Sequence, residues 1–86
     1  MKPYSEIKGD GYMIREFSAQ LDNSELKWHT DAENRLVIPI SENDWKIQLD
    51  NELPKPLNEA VYIPKNLYHR VIKGTTSLKV KIIKGK

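Results

Sequence analysis

The sequence contains no cysteine. Disulfide bonds and thiolate metal sites are therefore excluded, and a metal ion would have to be held by His, Asp or Glu side chains. Histidine is scarce as well, since only His29 and His69 are present. These two positions are the first candidates for such a site.

Long apolar runs are also missing. No segment approaches the roughly 18 apolar residues that a membrane-spanning helix needs, and no apolar run follows residues 1–6. We therefore expect a cytoplasmic protein with no membrane partner. The 86 residues lie near the small end of what folds alone, so we also expect a single domain over residues 1–86.

Neither sign of charge dominates, because 14 Lys and Arg residues face 12 Asp and Glu residues for a net charge of +2. The one local excess is a set of lysines near the carboxyl end with no aromatic residue among them: Lys73, Lys79, Lys81, Lys84 and Lys86. Proteins that bind single-stranded nucleic acid usually combine positive charge with stacking aromatics. We therefore predict a solvated strand face and no nucleic-acid partner.

The hydrophobic pattern predicts an all-β protein. Turn residues recur about every eight to twelve positions, which is typical of sandwiches and barrels, and no segment has helical periodicity. The predicted strands cover residues 12–17, 25–30, 35–40, 45–49, 60–63, 69–73 and 78–82. Strict alternation in two of them places these side chains in the interior: Trp45, Ile47, Leu49, Leu78, Val80 and Ile82. The intervening Lys and Gln residues are expected to face water.

His29 and Asp31 are the centre of the functional hypothesis. Residues two apart in a strand project to the same side, so the two can direct an imidazole nitrogen and a carboxylate to one point. His69 would supply a third ligand. Two histidines and one carboxylate form a set that favours Fe(II), while Mn, Zn and Ni also suit it. The alternative is that all three are ordinary polar residues of turns and strands.

The segments around both histidines resemble the two motifs of the cupin family. His29 and Asp31 stand where the first motif has its two histidines, and Arg35 stands where it has a glutamate. Pro64 and His69 match the second motif at its spacing. The resemblance covers residues 23–82 and implies a cupin-like double-stranded β-helix, or jelly-roll, barrel that carries a metal on these residues.

Several motif positions differ from the family. Asn23, Asn58 and Asn66 stand at motif glycines, and Lys73 replaces a final asparagine. Asparagine is the residue after glycine that best tolerates positive φ, so these exchanges predict that the turn geometry is kept.

Arg35 decides which ligand is expected. A guanidinium beside a divalent ion requires compensation, so either an anion bridges the metal and Arg35, or Arg35 turns away, or no metal binds and Arg35 pairs with Asp31. The first arrangement predicts a small carboxylate or phosphate ligand held by the metal and Arg35. Glu33, in the adjoining turn, is expected to be solvated rather than to bind metal.

Two other functions fit the same residues. The H-x-D…H set is similar to that of 2-oxoglutarate and Fe(II) oxygenases, which need a basic residue near the position of Lys79. The alternation of the last strand turns Lys79 outward. Arg35 could take the role of this basic residue instead. The second alternative is a barrel that binds a small ligand without metal or catalysis. The sequence leaves open whether the protein is an enzyme.

A homodimer is predicted from the strand 25–30. If His29 and Asp31 face the interior, Leu26 and Trp28 face outward, and apolar residues of that size seldom stay exposed. We expect them to be covered by the strand 12–17, by a second subunit, or by both.

Overall fold

A computed structural model describes residues 4–85. Its eight strands in the described part of the chain are β1 (Ser5–Lys8), β2 (Tyr12–Phe17), β3 (Arg35–Pro39), β4 (Lys46–Leu49), β5 (Lys55–Pro56), β6 (Val61–Ile63), β7 (His69–Ile72) and β8 (Leu78–Lys84). A 3-10 turn covers Asn23–Glu25. The prediction of an all-β protein is confirmed. Within residues 4–85, no helix has the length and apolar character that crossing a membrane requires.

The strands form two antiparallel sheets. One has five strands in the order β1-β2-β8-β3-β6, and the other has three in the order β5-β4-β7. The central strand β8 pairs with β2 on one side and with β3 on the other. Pro39 lies beyond the paired part of β3 and β6, because their register ends at Val37 of β3. Proline therefore costs no ladder hydrogen bond on that side.

The core lies between the two sheets and follows the predicted alternation. The six residues predicted to face inward from 45–49 and 78–82 are all buried. The same cluster also contains Met13, Phe17, Val37, Leu57 and Val61. Lys46 and Lys79 are exposed, as the period of two requires.

The predicted strand at 25–30 is wrong. Its beginning is a 3-10 turn, where the Asp22 carboxylate accepts a hydrogen bond of 3.0 Å from the Ser24 amide. Such local side-chain bonds compete with strand pairing. From there to Thr30, the one β contact is an isolated bridge at His29. The strand β1, which pairs with β2 at the edge of the larger sheet, was not predicted.

One of the three asparagine predictions is confirmed. Asn66 has a φ of +64°, and Asn51 has a φ of +62°, whereas no positive φ occurs at Asn23 or Asn58. Asn23 belongs to the 3-10 turn, whose backbone is right-handed. The turn before His69 therefore keeps the expected left-handed residue, and the prediction for the other two positions is wrong.

Asp44 ties the turn before β4 to the β7–β8 hairpin. Its carboxylate accepts hydrogen bonds from the Thr75 amide at 2.8 Å, from the Thr76 amide at 3.2 Å and from the Thr75 hydroxyl. The bonds from Thr75 are the main reason that the pKa of Asp44 falls from 3.8 to about 2. Gly74 fits here because a Cβ would collide with Asp44.

Asp44→Asn should lower the melting temperature at neutral pH. A carboxyl group with a lowered folded-state pKa stabilises the fold above its unfolded pKa, and this contribution disappears as the pH falls from 3.8 to about 2. The gap between wild type and Asp44→Asn should therefore close over that range in thermal melts. Asp50→Asn, in another exposed turn, is the control. A gap that stays constant down to pH 2 would contradict the assignment.

Candidate metal centre

The two histidines lie side by side at the start of β7. The His29 amide donates to the His69 carbonyl and the His69 amide donates to the His29 carbonyl, both at 3.0 Å. Directly opposed residues in an antiparallel pair point their side chains to the same face. The two imidazole rings are accordingly 4.3 Å apart between centroids.

Asp31 joins them through the turn that contains Asn66. The Asn66 amide donates to the Asp31 carbonyl at 2.8 Å, which holds the residue beside β7. The Asp31 Oδ2 atom lies 3.1 Å from Nε2 of His69, and its Oδ1 atom lies 3.9 Å from Nε2 of His29. One ligand atom from each of the three residues lies within 4.8 Å of the others. The structure thus brings together the three residues predicted as ligands.

Both histidines are oriented by backbone carbonyls. His29 Nδ1 lies 2.9 Å from the Lys27 carbonyl and His69 Nδ1 lies 2.8 Å from the Leu67 carbonyl. Because a carbonyl can only accept, each Nδ1 carries a proton and donates it. The Nε2 lone pairs are left facing Asp31. Metal-binding histidines use this same second hydrogen bond to fix their tautomer and ring orientation.

A bound cation would stabilise one oxygen of the Asp31 carboxylate. Its Oδ2 atom is buried and has no hydrogen-bond donor among the described residues. Burial lowers the pKa of His69, which favours the neutral ring, so a lone pair on Nε2 faces a carboxylate lone pair at 3.1 Å. Two ligand atoms about 2.1 Å from one ion lie about 3 Å apart in octahedral geometry. The pair of His69 Nε2 and Asp31 Oδ2 matches this spacing, whereas Nε2 of His29, at 3.9 Å from Oδ1, would have to move closer to bind the same ion.

Arg35 and Glu33 surround the carboxylate. The Arg35 Nη1 atom lies 3.3 Å from Asp31 Oδ1, and its Nη2 and Nε atoms donate to Glu33 Oε1 at 2.9 and 3.1 Å. The hydrogen bonds from Arg35 are the main reason that the pKa of Glu33 is lowered, and Lys84 adds a weaker effect at 3.9 Å. Arg35 points toward the site as predicted, but it already pairs with Asp31.

Glu33 belongs to the surroundings of the site, although it was not among the predicted site residues. It is half-buried and ion-paired rather than solvated. Its spacing of two residues from both Asp31 and Arg35 was the available signal, since it places three charged residues at alternate positions of one short segment.

Leu26 and Trp28 do not lie where the predicted strand put them. Leu26 packs against the core and lines the cavity, so the expected outward position is wrong. Trp28 keeps 42% of its surface exposed, and its ring lies 5.0 Å beneath the guanidinium of Arg70 rather than under β2. The period of two fails because the segment between the 3-10 turn and His29 is not a strand.

A cavity of about 460 Å³ opens beside the three candidate ligands. Its polar end contains His29, Asp31, His69 and Arg35, and most of its remaining wall is apolar. The apolar wall includes Phe17, Val37, Ile47, Leu57, Ile63 and Val71. This volume and this mixture of few polar groups with many apolar ones are typical of small-molecule sites.

Comparison with known proteins supports the fold. No protein-family model matches the sequence, and no curated protein matches it. An RmlC-like cupin from Methanocaldococcus jannaschii with a double-stranded β-helix fold gives a TM-score of 0.66 at 16% identity, over 99% of this chain and 82% of that one. A cupin domain from Bordetella pertussis gives 0.62 at 16% identity, over 96% and 92%.

A third similar structure is the Fe(II) form of HppE. It gives a TM-score of 0.65 at 15% identity, and the match covers 95% of this chain and 48% of that one. The three matches confirm the predicted double-stranded β-helix of the cupin type.

Proposed function

We propose that this chain is a small cupin protein that binds one divalent metal ion through Nε2 of His29, Nε2 of His69 and the carboxylate of Asp31. The main support is that Nε2 of His69 lies 3.1 Å from Oδ2 of Asp31, a buried oxygen with no donor among the described residues, while Nε2 of His29 lies 3.9 Å from Oδ1 of the same carboxylate. Without a cation these acceptors repel one another. With a cation, each of them has a partner.

The ligand types favour Fe(II), with Mn, Ni and Zn as alternatives. Two imidazoles and one carboxylate leave coordination positions open, and the chain supplies no thiolate that would favour a softer metal. A divalent ion with open positions supplies Lewis-acid polarisation, and iron adds redox chemistry. The similarity to an Fe(II) protein is consistent with this choice.

The proposed ligand of the loaded site is a small anion with an apolar body. One divalent ion and Arg35 together outweigh Asp31 and Glu33, so the polar end stays positive and favours a carboxylate or phosphate group. The apolar wall would cover the rest of the molecule. Arg35 would share its guanidinium between the ligand and Glu33.

The two other functions have less support than the metal site. Lys79 lies exposed on the outside of the larger sheet, so it offers no partner for the carboxylate of 2-oxoglutarate within the cavity. The pair between Arg35 and Oδ1 of Asp31 fits a metal-free binding barrel, but Oδ2 would then have no donor among the described residues.

Calorimetric titration of chelator-treated protein with Fe(II) under anaerobic conditions, and with Mn, Ni and Zn, tests the metal site. We expect one ion per chain at pH 7.5. Affinity should weaken as the pH falls through about 7 to 6, because histidine ligands must be neutral. Absence of uptake for all four metals would contradict the proposal.

Arg35→Gln should affect ligand binding and metal binding differently. Removing the positive charge should leave metal affinity unchanged or higher, and should weaken binding of a small carboxylate by about 10- to 100-fold. Arg35→Lys should keep only part of the carboxylate affinity, because lysine lacks the planar guanidinium that binds a carboxylate through two N–H groups. The measurement is titration of succinate and 2-oxoglutarate into metal-loaded protein.

The control for Arg35 is Arg70→Gln. Arg70 lies over Trp28 and bonds to Gln48, and it does not line the cavity. Equal losses of carboxylate affinity in the two variants, or no carboxylate binding by the wild type, would remove Arg35 from the ligand site.

A further inference from the structure

Arg15 stands at an inward position of β2. It alternates with Met13 and Phe17, which are both buried in the core. Its side chain is only 14% exposed and lines the cavity beside the candidate metal ligands. Arginine is rarely placed among buried apolar residues unless it has a polar partner there. The contacts of Arg15 therefore show whether the fold alone accounts for it.

Two contacts hold the guanidinium of Arg15 in place. Its Nε atom donates to Oε1 of Glu6 at 2.9 Å, and its central carbon lies 4.2 Å from the ring centre of Tyr4. The Tyr4 ring in turn packs against the Phe17 ring, with 5.3 Å between their centres. These contacts fix the plane of the guanidinium in advance, so a ligand that binds to it would cost little side-chain entropy.

Most N–H groups of Arg15 are still available. A guanidinium has five of them, and only two have partners among residues 4–85: the Nε group bonded to Glu6, and one on Nη2 that lies 3.6 Å from the sulfur of Met13. A thioether sulfur is a weak acceptor, and Nη1 donates to none of these residues. The Nη1 and Nη2 atoms form the edge that can bind a carboxylate through two parallel hydrogen bonds.

Arg15 and Arg35 stand on either side of the central strand and line the same cavity. Arg15 of β2 lies beside Val80 of β8, and Arg35 of β3 lies beside Lys84, so their positions are about 13 Å apart along β8. The hydrogen bond from Arg35 is the main cause of the lowered pKa of Glu33, and the charge of Arg15 contributes weakly. The field of Arg15 therefore reaches the Arg35 end of the cavity.

The charged groups that line the cavity leave an excess of positive charge. Three cations, Arg15, Lys27 and Arg35, face two carboxylates, those of Glu25 and Asp31. A bound divalent ion would increase this excess, and a ligand with a single carboxylate would neutralise only one charge. Because uncompensated charge in a largely apolar cavity is costly, a ligand with two anionic groups suits the loaded site better.

We propose that the cavity binds a small molecule with two anionic groups joined by a short apolar chain. One group would bind the metal and Arg35, and the other would bind the Nη1 and Nη2 edge of Arg15. This inference rests on the proposed function, because the first group binds the proposed metal centre. The apolar wall suits the connecting chain, and about 460 Å³ has room for it. A linear dicarboxylate is the simplest ligand of this kind.

Calorimetric titration of protein loaded with the metal that it retains best tests the inference. Glutarate, adipate and pimelate are compared with pentanoate, hexanoate and heptanoate, which have the same lengths and one carboxylate less. We expect the wild type to bind at least one dicarboxylate about 10- to 100-fold more tightly than the monocarboxylate of equal length. Arg15→Gln should abolish or reverse this preference, because the second carboxylate would then be buried without a partner, while metal uptake should persist.

Two control variants separate a ligand contact from a structural role. Arg70→Gln makes the same exchange outside the cavity and should change the preference less than about threefold. Glu6→Gln breaks the ion pair of Arg15 but keeps the guanidinium, so it should retain a preference for the dicarboxylate. If Arg15→Gln does not fold, Arg15→Met combined with Glu6→Gln removes both partners of the pair and gives the same comparison with Glu6→Gln alone.

The outcomes distinguish this inference from the proposed function. Metal uptake and monocarboxylate binding with no preference for any dicarboxylate would overturn the inference and leave the metal site intact. A preference that survives in Arg15→Gln would come from chelation by the metal and would also overturn it. Binding of no carboxylate by the loaded protein would overturn both this inference and the proposed ligand. Failure to take up any of the four metals would overturn the proposed function, and this inference with it.

Discussion

Replacing Asp31 by Asn should reduce divalent metal affinity at least about 100-fold, since it removes the only carboxylate among the three proposed ligands. The side chain keeps its shape, so the change isolates the charge. Calorimetry with Ni(II) or anaerobic Fe(II) measures the loss. Glu33→Gln is the matched control, because Glu33 contacts Arg35 and lies outside the three-residue group, and it should change the affinity only a few-fold.

The same substitution has a second expected effect. In the metal-free protein, the side-chain amide introduced by Asp31→Asn would donate to Nε2 of His69, where the carboxylate offers a lone pair at 3.1 Å. The variant should therefore melt no lower than the wild type when both are free of metal. Loss of stability with unchanged metal affinity would show that Asp31 serves the fold through Arg35 rather than a metal.

Trp45→Ala should cost about 3–5 kcal/mol in the free energy of unfolding. Trp45 is 1% exposed, its ring lies 5.6 Å from that of Phe17, and its Nε1 donates to the Thr76 carbonyl at 2.6 Å. The total free energy of unfolding of a small domain is only about 5–15 kcal/mol, so this variant should be close to unfolded. Trp45→Phe should lose less, because it keeps most of the volume.

Urea denaturation followed by circular dichroism gives these values. Trp28→Ala is the matched control, because Trp28 is the other tryptophan and is partly exposed beneath Arg70. It should cost less than about 1 kcal/mol. Similar losses for the two tryptophans would contradict the assignment of Trp45 to the core.

The core was predictable because its signal is local. Strict alternation at 45–49 and 78–82 identified the buried residues directly, since burial on one side of a strand repeats every two residues. The segment 25–30 has the same appearance in sequence. The hydrogen bond between Asp22 and Ser24 turns its beginning into a 3-10 turn, and the alternation there carries no meaning.

The grouping of the three candidate ligands was also predictable, but for a different reason from the one expected. His29 and His69 meet because their backbones pair, and Asp31 joins them through the Asn66 turn rather than through a regular strand. Residue spacing allows Arg35 to pair with Asp31 and Glu33, but which of its possible arrangements occurs depends on side-chain conformations. Neighbours within the larger sheet depend on strand register, because Tyr12, Ile83 and Leu36 lie side by side although they are far apart in sequence.

Elemental analysis of the purified protein is the most direct test of the proposed metal centre. After exposure to Fe(II), Mn(II), Ni(II) and Zn(II) and removal of weakly bound ions, the wild type should retain about one metal ion per chain, and His69→Ala should retain almost none. Retention of no metal by the wild type, or of equal amounts by the wild type and His69→Ala, would contradict a centre formed by His29, Asp31 and His69.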